Sequence, residues 1–215
     1  MTDMTDHAPH KVHSKVVDLD PEDNARAEIY ALLSNCFYQP ASKELLRVVA
    51  TGSGLCNDEA DTDFCRLWRA LQQAAAQADA EAVKEEFETA FIGTGRQPVM
   101  LYGSFYVAGF LHDKPLALLR DDLTKMGIAR RGDRHESEDH VSALCDVMRF
   151  LIAGDADTPP AALDLQREFF HRHIAPWYAA LCTAIISANQ TDFYKHVAHL
   201  LREFFAIENA AFDIP

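Results

Sequence analysis

The chain has 215 residues, 48% of them hydrophobic, with 20 basic against 33 acidic side chains and a net charge of −13. That length and apolar content suit one domain, or one domain with a small lobe, and are enough to bury a sizeable core. Nucleic acid is excluded as an expected partner because phosphate neutralisation needs clustered Lys and Arg, whereas the acidic field favours a basic peptide; no run of about eighteen apolar residues marks a membrane span.

The opening stretch, MTDMTDHAPHKVHSKVVDLD, is polar and has no apolar signal-peptide core. Residues 1–18 read as a disordered tail, residues 19–215 as the folded unit, and the protein is expected to stay in the cytoplasm. Asp20-Pro21-Glu22-Asp23 is a helix start: a cap, then Pro at the first position, then acids in the first turn. Ala25, Ile29, Leu32, Leu33 and Cys36 share one face of the helix that follows, and Gln39-Pro40 closes it.

Ser42 caps a short second helix that stops at Gly52-Ser53-Gly54. A third helix spans about 61–78 with Phe64, Leu67, Trp68 and Leu71 inward, and a fourth about 80–92 with Val83, Phe87 and Phe91 inward. Residues 93–111, GTGRQPVMLYGSFYVAGFL, hold four glycines, a proline and several aromatics with no helical cap. They are expected to form a long functional loop.

Helical spacing returns over 114–126, ended by Gly127. A helix is expected over about 137–153, capped by Ser137 or Glu136, with Val141, Leu144, Cys145, Met148, Leu151 and Ile152 as its apolar stripe. GDADTPP, 154–160, is a linker and a candidate hinge. A helix follows to about His173, another restarts after Pro176 with Trp177, Leu181 and Ile185 inward, and a last one from Asp192 carries Phe193, Val197, Leu200, Leu201, Phe204 and Glu208. The fold class is therefore all-α: a single many-helix bundle.

Five cysteines are present, none in a CxxC pair. An odd count argues against a disulfide framework or a zinc ribbon, and Cys36, Cys145 and Cys182 read as small buried hydrophobes. The densest cluster of chemistry is RHESEDH, with His135, Glu136, Glu138, Asp139 and His140 inside six positions. On a helix His135 and His140 would point about 140° apart, and the i, i+4 pairs His135–Asp139 and Glu136–His140 about 100° apart, so neither set converges on one ion. Asp139 and His140 are adjacent and cannot form the orienting bond of a Ser104–His140–Asp139 triad. There is no GxSxG, no Walker loop and no strand before the GTG at 93–95. A structural cap at the start of a helix is one reading of this cluster; a metal-binding or enzymatic role for 135–140 is another.

Taken together, FETAFIGTGRQPVMLYGSFYVAG, a helix, a loop and then ESEDHVSALCDVMRFL resemble the TorD/DmsD/NarJ family of redox-enzyme maturation chaperones. The matching residues are Phe91-Ile92-Gly93, Pro98, Gly103-Ser104-Phe105-Tyr106 and Glu136-Ser137-Glu138-Asp139-His140. HIAPW and a final aromatic-rich helix opening DFY fit as well, so the resemblance spans about 22–208. Ser137 stands where the family's E-P-x-D-H motif has Pro, a mild change at a helix start. Met100-Leu101 replaces a second proline cluster, which changes the loop.

The resemblance implies an all-helical, non-catalytic chaperone with no cofactor or metal of its own. It would bind the twin-arginine signal peptide, the apo form, or both, of a molybdenum-cofactor oxidoreductase before Tat export. Dimethyl sulfoxide reductase superfamily enzymes and formate dehydrogenases are the client classes. The protein would be a monomer or a domain-swapped dimer, with no nucleic acid bound and no stable membrane insertion. The implied peptide-binding residues are Phe91, Tyr102, Gly103, Ser104, Tyr106, Glu136, Asp139 and His140. The aromatics would line a groove for the apolar part, the two carboxylates would pair with arginines, and His140 would bond to backbone or orient Glu136.

Overall fold

The caps foreseen for the first two helices are the ones the chain uses. In the computed structural model, which describes residues 19–56, 61–93, 98–111, 113–129 and 136–214, the Asp20 carboxylate accepts from Glu22 and Asp23 N–H at the head of α1 (Pro21–Tyr38). Ser42 accepts from Leu45 N–H at the head of α2 (Lys43–Thr51). The expected tail, 1–18, lies outside the described residues.

Thr62 caps α3 (Asp63–Gln77) and Asp79 caps α4 (Ala80–Phe87). A π-turn over Glu88–Ile92 extends α4, closed by Gly93 N–H on Glu88 C=O at 2.8 Å. Then come α5 (Gly103–Ala108), α6 (Lys114–Lys125), α7 (Val141–Ala153), α8 (Leu163–His173), α9 (Tyr178–Ser187) and α10 (Phe193–Phe212). The fold is all-α; among the described residues there are ten α-helices and no named strand.

α1 lies along α7, α10 packs on α3 and α9, and α2 packs on α3. The apolar stripes read from the sequence form one core. It contains Tyr30, Leu33, Cys36 and Phe37 of α1, Leu144, Cys145, Met148 and Ile152 of α7, and Val197, Leu200, Leu201 and Phe204 of α10. Each such aliphatic or aromatic side chain contributes roughly 1.5–3 kcal/mol on burial. Edge-on aromatic pairs tie the helices further: Tyr30 meets Phe204 at 4.9 Å, and Phe170 meets Phe205 at 5.6 Å.

Glu208 sits within this apolar face because its charge is answered there. Arg26 donates to both its oxygens at 2.8 and 2.9 Å, Tyr30 O–H donates at 3.0 Å, and Arg26 also reaches Gln166 at 3.2 Å. The Arg26 guanidinium lies over the Phe212 ring. Another carboxylate works between elements: Glu86 of α4 accepts from the N–H groups of Asp192, Phe193 and Tyr194 at 2.8, 3.0 and 2.7 Å, capping α10 from outside it.

Three expectations change. Part of the loop 93–111 is helical: α5 runs over GSFYVA and stops at Gly109, whose φ of 82° suits a residue without Cβ. α7 begins at Val141, four residues later than expected. Cys56 and Cys65 are joined by a disulfide, while Cys36, Cys145 and Cys182 are free and buried. Within the 154–160 linker the chain makes a local turn: Asp155 N–H bonds Thr158 C=O at 2.8 Å, and the Asp155 carboxylate takes the N–H groups of Asp157 and Thr158.

Candidate functional site

The stretch 136–140 is not helical, so its side chains do not follow a helical wheel. Its backbone pairs instead with the chain just before α5. Tyr102 and His140 form an antiparallel bridge: Gly103 N–H bonds Asp139 C=O, and Val141 N–H bonds Leu101 C=O, both at 2.9 Å. Backbone groups used across this bridge are lost to a helix, so α7 starts only at Val141. His140 then serves as its N-cap, its Nδ1 accepting from Ser142 N–H at 3.2 Å and lying 2.7 Å from Ser142 Oγ. Neither Ser137 nor Glu136 caps the helix.

Asp139 and His140 are each only 4% exposed. One carboxylate oxygen of Asp139 accepts from Ser104 N–H at 2.9 Å, and the other accepts the Ser137 hydroxyl. The His140 ring stands edge-on to Tyr102, with centroids 5.0 Å apart. Burial pushes its pKa down to about 4, against the opposing pull of Glu136 and Asp139. His140 is therefore neutral at neutral pH, and with Nδ1 accepting, its proton sits on Nε2. His135 lies outside the described residues. Among those described, no three His, Cys, Asp or Glu side chains group as metal ligands.

The other motif residues fall into two sets. Gly103 lies under Trp177: a Cβ there would come within 2.9 Å of the indole. Tyr106 stacks on the same indole, with centroids 5.6 Å apart and planes 17° apart, and the indole N–H donates to His173 C=O at 2.7 Å. Ser104 is fully buried. Phe91 lies in the core against Phe87 and Tyr194, both at 5.1 Å. This packing is the inward stripe read from the sequence, carried into the π-turn that extends α4.

Tyr102 and Glu136, both half-buried, reach the surface together. The tyrosine hydroxyl donates to the Glu136 carboxylate, and burial, then this carboxylate, push the tyrosine pKa up. Beside them Glu138 holds Arg120 of α6, whose Nε and Nη2 lie 2.9 and 2.8 Å from one oxygen. The acidic turn 136–139 is thus tied to α5 through Tyr102 and Ser104, and to α6 through Arg120.

α5 and α6 in turn present an apolar shelf to solvent. Phe105, Val107, Phe110, Leu111 and Leu118 are all exposed, Phe110 by 73%. Sequence reading passed over this shelf, because a stretch taken for loop has no face to predict; the GSFYVAG ending in glycine was the signal for a short helix. Val107 and Leu118 also rim a cleft of about 120 Å³ lined by Pro115, Pro176, Trp177 and Asp139. Sites for drug-sized ligands run to roughly 300–1,000 Å³, so this cleft suits a single side chain rather than a cofactor. On its α8 wall His173 Nε2 lies 3.0 Å from Asp122, which also pairs with Arg172 and Lys125.

The family model for the nitrate reductase delta subunit matches residues 57–183. The chaperone protein TorD of Vibrio cholerae is 25% identical over 202 residues, covering 87% of this chain and 92% of that one. TorD of Aliivibrio fischeri is 26% identical over 198 residues, covering 85% and 92%. A crystal structure described as a redox enzyme maturation protein of Archaeoglobus fulgidus superposes with a TM-score of 0.56 at 15% identity, over 95% of this chain and 99% of that one. That last likeness is one of fold.

Proposed function

Since the chain belongs to the nitrate reductase delta subunit family, the TorD/NarJ redox-enzyme maturation chaperones and not catalytic enzymes, we propose that it acts in the cytoplasm on a molybdenum-cofactor oxidoreductase of the dimethyl sulfoxide reductase superfamily. It binds the twin-arginine signal peptide of that client, with or without the rest of the apo-protein, before Tat export. One observation carries this reading: an exposed apolar shelf on α5 and α6 stands beside a turn whose carboxylates, Glu136 and Glu138, already hold a tyrosine hydroxyl and a guanidinium. A signal peptide offers the complementary pair, arginines followed by an apolar stretch.

The shelf supplies contact area and the acidic turn supplies register, since guanidinium–carboxylate bonds are directional. Asp139 and His140 serve the site at one remove, by holding the turn against α5. Isothermal titration with a synthetic twin-arginine leader tests the reading. Micromolar binding that weakens at least tenfold when both arginines become lysines supports it; a flat titration with every leader encoded beside this gene overturns it.

A further inference from the structure

The five cysteines divide into two chemical classes. Cys36, Cys145 and Cys182 are buried, and burial pushes their thiols up, to about 12 for Cys36 and Cys182, so they are inert as nucleophiles. Cys56 and Cys65 are already joined, and Cys56 is partly exposed in the segment that leaves α2. We propose that Cys56–Cys65 is a reversible thiol–disulfide modification site that clasps the end of α2 to the face of α3.

The clasp has a defined seat. Cys65, Trp68 and Gln72 fall at i, i+3 and i+7 on α3, one stripe of the helix. All three engage the end of α2 or the segment after it. Gln72 donates to Gly52 C=O at 2.7 Å. The Trp68 ring lies so close to Gly52 that a Cβ there would sit 3.2 Å from it. The disulfide adds a covalent third member to two noncovalent ones.

The exchange is chemically complete with a dithiol reductant. One reductant thiolate attacks the Sγ of Cys56, the more exposed of the two residues. Cys65 departs as a thiolate in the first turn of α3, where the helix N-terminus favours negative charge. The second reductant thiol then attacks the mixed disulfide and releases Cys56. The reductant leaves as its own disulfide, having given two electrons, and its two protons end on Cys56 and Cys65. In the cytoplasmic setting proposed above a disulfide is characteristically transient or redox-sensing, so the anchoring of residues 52–56 follows the thiol poise around the protein.

The test uses the full-length native chain equilibrated in dithiothreitol buffers of increasing reducing strength. Samples are quenched by alkylation in denaturant and weighed by mass spectrometry. Three labels are expected at the oxidising end, for the three free cysteines, and five at the reducing end. Hydrogen exchange of residues 52–56 should quicken at least tenfold in the five-label form, and Cys56→Ser should show the quick exchange in every buffer. Cys36→Ser should leave the difference intact. Five labels under all conditions, three labels persisting in strong dithiol, or equal exchange in both forms overturns the proposal.

Discussion

The carboxylate of Asp139 caps α5, taking the Ser104 N–H at 2.9 Å, while the carbonyl of the same residue takes the Gly103 N–H at 2.9 Å. One buried acid thereby fixes the start of a helix that lies more than thirty positions upstream.

Asp139→Ala should therefore act on stability first. It strands the Ser104 N–H and the Ser137 hydroxyl, each at about 1–3 kcal/mol. Thermal unfolding should show Tm lower by roughly 5–15 °C for a chain of this size, with Asp139→Asn recovering part of the loss. An unchanged Tm accompanied by lost leader binding would make Asp139 a recognition residue instead.

Gly103→Ala tests the closeness of α5 to Trp177. The new Cβ must displace the indole that stacks on Tyr106 and bonds His173 C=O. Overpacking of this kind costs about 1–3 kcal/mol, readable in urea unfolding together with a change in tryptophan fluorescence.

His140 predicts an acid sensitivity of known sign. Its folded pKa, about 4, is below the ordinary value of about 6.5. Between those values the unfolded chain binds the proton and the folded chain does not, so stability falls as pH drops below about 6.5 and is unaffected above it. The loss should be on the order of 2 kcal/mol by pH 5. In His140→Asn, which keeps a capping side chain, denaturant midpoints over this window should be flatter than in the wild type.

Leader binding and stability should separate at the surface. Glu136→Gln removes the charge beside Tyr102 and should weaken a twin-arginine leader by about tenfold, the worth of a charge-assisted hydrogen bond, with Tm within a few degrees of wild type. Arg120→Ala removes one guanidinium that would compete with a client arginine for Glu138, and titration should show equal or tighter binding.

Phe110→Asp and Leu118→Asp place charges on the shelf without entering the core. Both should express and melt normally yet lose most leader affinity. If both bind as the wild type does, the shelf is not where the apolar segment rests.

The helices whose apolar residues all face inward were legible in the sequence, because 3.6-residue periodicity and Asp, Ser and Pro at helix starts are local signals. Leu33, Leu144 and Leu201 followed from spacing alone. The site was less legible. The late start of α7 depends on a two-residue bridge to residues 101–103, a non-local pairing that overrides the capping preferences of Ser137 and Glu136. Phe91 belongs to a family motif and also to an inward stripe, and its burial follows the stripe. Cys56 and Cys65 are nine residues apart with no CxxC spacing, so only the packing of α2 on α3 brings them together.

Glu86 has a consequence for the order in which the molecule is built. The carboxylate that satisfies the first N–H groups of α10 belongs to α4, more than a hundred residues earlier in the chain. α10 is synthesised after α4, and it meets its cap already in place. Severed from the first half it would be a helix with an open end, unable to nucleate on its own terms. A single acid thus couples α4 to α10, and a fragment lacking α4 would weaken α10 as well.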